Sequence, residues 1–163
     1  MLSAVAVAIH VLFVFWLVAG VFGRGVTLAR ARRSRDLTEL RTLAGLAHDF
    51  EMRFVRPGTF AVLIAGLIAA WARGWPILGF LQGGQANWVL VSLVVYLSII
   101  PVIVFVFVPR GKRFRLALEA AVAEGRVTPA LSAALADPAL AAARAYEQGM
   151  ILVLTFLMVL KPF

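Results

Sequence analysis

Residues 88–108 read WVLVSLVVYLSIIPVIVFVFV, twenty-one positions without a charged side chain and rich in Val and Ile. A helix rises 1.5 Å per residue, so crossing about 30 Å of hydrocarbon takes about twenty mostly apolar residues. This stretch meets that requirement without help from its flanks. Working outward, residues 4–22 form a second uncharged run whose one ionisable group is His10. Residues 60–72 are clean but short, and they make a span when extended to 58–78, where Trp71, Arg73 and Trp75 mark the far edge. Residues 146–160 are apolar apart from Glu147, Gln148 and Thr155. The economical reading is four spans, at about 3–22, 58–78, 88–108 and 145–160, with polar loops 23–57 and 109–144. The fold class is then all-α: a polytopic membrane four-helix bundle with cytoplasmic amphipathic helices, forming one domain over 1–163.

Composition agrees with this reading. Of 163 residues, 63% are hydrophobic and 15% charged, against usual shares of about half and about a quarter. A mean hydropathy of +0.95 would give a water-soluble chain of this size an oily surface. The sequence has no Cys, which excludes disulfides, thiolate nucleophiles, iron–sulfur clusters and cysteine zinc sites. A net charge of +8 raises the question of nucleic acid, but the cations flank greasy segments instead of covering a soluble module, so no nucleic-acid partner is expected.

The first span reads as an uncleaved anchor. A signal peptide carries a basic n-region and a short apolar run, whereas here no charge precedes Ala4 and the apolar run is long. Orientation follows from the cations. Eight of the sixteen Lys and Arg lie between spans one and two and six between spans three and four; the others are Arg73 and Lys161. Basic loops resist translocation, so both are expected in the cytoplasm, against anionic headgroups, with both chain termini outside.

The loops carry helix signals. Leu37, Leu40, Leu43, Ala44, Ala47, Phe50 and Phe54 recur at helical spacing, and Asp36 with Glu39 forms a capping box. Pro57-Gly58 is expected to end that helix. In the second loop a helix from about Phe114 to Glu124 breaks at Gly125, and Thr128-Pro129 starts another. Asp137-Pro138 then starts a helix running to Leu160.

Few residues suggest chemistry. His10 lies near mid-membrane, where an ionisable group needs a partner. It reads either as a ligand for haem or a metal, or a proton-relay site, or as a neutral imidazole bonded to the hydroxyl of Ser92, Ser98 or Tyr96 on span three. His48, beside Asp49 and Glu51, reads as solvated. Gly58, Ala61, Ala65, Ala69 and Ala72 make a small-residue packing seam, used within the chain or, in a homo-oligomer, between chains. Lys161 reads as an anchor at the headgroups or as a contact to an anionic ligand. No phosphate-binding glycine motif and no HExxH occur, so no catalytic residue and no resident metal are expected, and the chain reads as a structural, regulatory or conducting membrane protein or, alternatively, as a haem-binding redox or cation-handling one centred on His10.

Ile9-His10-Val11-Leu12, the Arg-rich loop, Pro57-Gly58-Thr59 and the closing Met158-Val159-Leu160-Lys161-Pro162 resemble a bacterial family of predicted integral membrane proteins. It is the domain-of-unknown-function family numbered twenty-two sixty-nine. That resemblance spans essentially the whole chain and implies a small inner-membrane protein, with no activity attached. More faintly, the early histidine is similar to that of copper-resistance type D and membrane protoporphyrinogen oxidase families. That likeness implies haem b at His10, although this sequence departs from those families in having no second intramembrane histidine, no Cys and no Met cluster.

Overall fold

The computed structural model describes residues 1–162, and all regular structure among them is helical. The helices line up as four rods, each long and apolar enough to cross a membrane. The first is α1, Leu2–Ala31. Uninterrupted by Gly-Pro punctuation, it runs past residue 22, the expected end of the span, and carries Arg24 and Arg30 on its last turns.

The second rod departs from the sequence reading. Helix α2, Leu37–Phe50, passes through a π turn at Glu51–Val55 straight into α3, Arg56–Ala72. Pro57-Gly58 therefore does not end the helix. Pro57 lacks the N–H that would bond the Arg53 carbonyl, and the widened turn just before it absorbs the mismatch. The Arg53 carbonyl also accepts from the indole N–H of Trp16 on α1, at 3.3 Å. At its other end α3 stops at Ala72 instead of continuing towards Leu78, with Gly74 at a φ of +69° turning the chain away.

The capping box is half built. Asp36 accepts from the N–H groups of Thr38 and Glu39. Glu39 does not reach back to the Asp36 N–H, which goes to Ser34 Oγ. The Glu39 carboxylate accepts instead from Ser34 Oγ at 2.6 Å and from Arg30 Nε at 2.9 Å. These two contacts hold its carboxyl below the usual carboxylate range.

The third rod comprises α4 (Trp88–Leu97), α5 (Ile99–Val102), a second π turn at Ile103–Phe107, and α6 (Val108–Glu124). Here too the π turn precedes a proline, Pro109, and the helix runs unbroken from span into loop, earlier than the expected start at Phe114. The fourth rod follows the sequence signals. Thr128 caps α7, Pro129–Leu135, and Asp137 caps α8, Pro138–Leu160.

The rods pack as two pairs: α1 lies along α2 and α3, and α4 lies along α8. One cluster, Leu17, Val21, Val55 and Val62, fills the seam of the first pair. A second, Ala31, Leu40, Ala121 and Leu131, joins the ends of all the basic segments, and these side chains are 0–1% exposed. A third, Ala70, Trp88 and Val89, closes the opposite end. The structure thus has a basic end and a tryptophan end, with the apolar lengths of the rods between.

Candidate functional site

Arg24, on the first rod, has contacts with the other three. It projects from α1 with its side chain only 12% exposed. Nη1 donates to Glu51, at the start of the first π turn, and Nη2 donates to Glu147 on α8. The guanidinium also sits over the ring of Phe107, in the second π turn, 5.6 Å from its centroid. Glu51 takes a further donor, Arg56 Nε, at 3.3 Å. The guanidinium fork suits two carboxylates at once, where an ammonium would act as a point charge. Glu147 is 7% exposed, and a buried carboxylate persists only when paired and hydrogen-bonded. Both π turns are thereby tied to one cation. Sequence reasoning missed this cluster: Arg24 counted as one loop cation among eight, and Glu147 as a blemish in span four. A carboxylate inside an apolar run was the signal for it.

His10 stands deeper. Its expected hydroxyl partners on span three are engaged elsewhere. Ser92 Oγ donates to the Trp88 carbonyl at 2.7 Å, Tyr96 Oη to the Thr59 carbonyl at 2.5 Å, and Ser98 Oγ to the Val95 carbonyl at 2.5 Å, besides sharing a hydrogen bond with Tyr146 Oη. The partner of His10 is the Val62 carbonyl on α3, 3.1 Å from Nδ1. Only a carbonyl acceptor is available, so Nδ1 carries the proton and Nε2 keeps its lone pair. The imidazole lies in a notch made by Gly66, where a Cβ would come within 2.9 Å of Cε1. Helix periodicity places His10 on a face but not against a chosen neighbour, which is why the partner was misassigned.

The other candidates fall as follows. Gly58, Ala65 and Ala69 are buried and Ala61 and Ala72 half-buried, on the rod that packs most closely with α1. At Gly58 a Cβ would stand 3.2 Å from the Leu17 backbone. Lys161 Nζ lies over two rings, 4.7 Å from the centroid of Trp75 and 5.7 Å from that of Trp88. The two indoles meet edge to face at 4.8 Å, so the lysine closes an aromatic corner at the tryptophan end. His48 is exposed on α2. Among the described residues no group of three or more His, Cys, Asp or Glu is placed to hold a metal ion.

Between the two helix pairs runs a cavity of about 1780 Å³, reaching from Lys161, Trp75 and Trp88 past His10 and Tyr96 to Arg24 and Glu147.

Four apolar rods and polar clasps onto backbone carbonyls define a polytopic α-helical membrane protein. The chain belongs to the family described as predicted integral membrane protein (DUF2269), whose profile matches residues 4–162. No curated protein and no solved structure matches it. Membership establishes association with a lipid bilayer and carries no specific activity.

Proposed function

We propose that this protein is a non-enzymatic component of the bacterial inner membrane, with both termini outside and a structural or regulatory role exercised at its basic end. One observation carries the reading. The two segments that hold fourteen of the sixteen cations pack on each other through Ala31, Leu40, Ala121 and Leu131. They therefore belong on one side of the membrane, and the positive-inside rule assigns that side to the cytoplasm. There Arg and Lys side chains meet anionic headgroups at about 1 kcal/mol each. A reporter enzyme active only outside the cytoplasm tests this. Fused after Ser34 or after Arg126 it stays silent, and fused after Gly83, between spans two and three, it is active. Activity at Ser34 would reverse the assignment.

A second reading, haem b on His10, draws on the hydrogen bond between His10 and the Val62 carbonyl. With Nδ1 donating to Val62, Nε2 is the nitrogen left for iron. The residues fit this group poorly. The ring is packed against Gly66, and His48, the second histidine, sits exposed on α2. The absorption spectrum of gently solubilised protein decides between them: no Soret band supports the first reading, and a band lost in His10→Ala supports the second.

A further inference from the structure

The cavity between the helix pairs has two chemically distinct parts. Its volume, about 1780 Å³, exceeds the roughly 300–1,000 Å³ of pockets for drug-sized ligands. Midway along, the walls are apolar side chains such as Val14, Leu63, Leu67, Leu93 and Leu154. Such walls offer water no partners, and hydrocarbon suits them. At the basic end the lining changes to seven cations and two carboxylates, Glu51 and Glu147. Both carboxylates are held by Arg24. Four of the cations, Arg32, Arg41, Lys112 and Arg144, form no ion pair among the described residues.

Arg144 is the most constrained of the four. It is half-buried on α8 and lines the cavity together with Arg32 and Arg24. The acids nearest it in sequence, Asp137 and Glu147, are already bound, to Arg110 Nε at 3.0 Å and to Arg24. A half-buried cation that forms no ion pair and lines a cavity calls for an anion.

We propose that this cavity binds one anionic glycerophospholipid, with its phosphate against Arg144 and Arg32 and its acyl chains laid between the helix pairs. The proposal deepens the headgroup reading given above and rests on its orientation. Depth agrees with it. One leaflet contributes about 15 Å of hydrocarbon, or about ten residues of helix. Counting from Arg144 along α8 brings the chain ends to Leu154, which lines the same cavity.

Native mass spectrometry of the full chain in mild detergent tests it, with phosphatidylglycerol, phosphatidylcholine and inorganic phosphate as separate probes. One phosphatidylglycerol per chain is retained, phosphatidylcholine binds about five- to tenfold more weakly, and phosphate alone does not compete. Arg144→Gln lowers phosphatidylglycerol affinity by a similar factor of about five to ten, and Arg144→Lys restores most of it. Arg113→Gln, at an exposed cation outside the cavity, leaves binding unchanged, and Leu154→Trp weakens both lipids alike by filling the space for chains. Equal binding of the two lipids by the unmutated protein overturns the proposal, as does an equal effect of Arg113→Gln. Competition by phosphate alone also overturns it in favour of a simple anion site. Labelling of a Ser34→Cys variant from either side reads orientation separately, so an inside Ser34 without lipid preference rejects this site and leaves the orientation standing.

Discussion

The basic end and the membrane-spanning middle of this molecule are held together by different means. At the basic end Ala31, Leu40, Ala121 and Leu131 make a core that is 0–1% exposed, of the kind found in water-soluble domains. In the middle, large side chains such as Leu12, Phe15, Phe60 and Phe105 point outward and are more than 60% exposed. There the rods meet at small-residue notches and through side chains bonded to backbone carbonyls: His10 to Val62, Tyr96 to Thr59, Trp16 to Arg53. Water drives apolar surface together. Lipid is as apolar as leucine and supplies no such drive, so close packing and hydrogen bonds must do it. One chain shows both regimes within a few helical turns.

The largest effect is expected where the two regimes meet. Arg24→Leu leaves Glu51 and Glu147 facing each other without their shared cation, and a buried pair broken in this way costs about 3–5 kcal/mol. Unfolding in detergent, followed by circular dichroism, measures it. In the aqueous core Leu131→Ala should cost about 2–5 kcal/mol, whereas Leu12→Ala, on the lipid face, changes the same melting curve little. Equal losses at the two leucines would erase the contrast between the regions.

Within the membrane region Gly66→Ala pushes a methyl into the His10 ring and should cost about 1–3 kcal/mol. The double variant with His10→Ala should recover much of that loss. A smaller loss than at Gly66 is expected for His10→Leu, whose lost interhelical bond is worth about 0.6 kcal/mol and at most about 1.7. A loss well beyond that range would mean the imidazole does more than clasp two helices.

Much of this architecture was legible in the sequence because it depends on local rules. Apolar length marked the four rods. Thr128 and Asp137 marked helix starts through their side-chain acceptors, and α8 begins and ends where its signals place it. Pro57 misled, because its effect on a helix depends on whether the preceding turn can widen, and a π turn is a property of packing. The candidate site was harder. Arg24, Glu51 and Glu147 are far apart in sequence, and His10 could be matched to Gly66 and Val62 only once the rotation of α1 against α3 was known. A transmembrane face names many neighbours, and the packing selects one.

The contrast rests most directly on Arg24 and Glu147, and a double-mutant cycle of Arg24→Leu and Glu147→Leu measures their coupling. The double variant should lose less stability than the two single variants added together, by about 2 kcal/mol or more, because each carbon chain removes the need for the other's charge. Additivity within about 0.5 kcal/mol would show two independent sites and would contradict a clasp that joins all four rods.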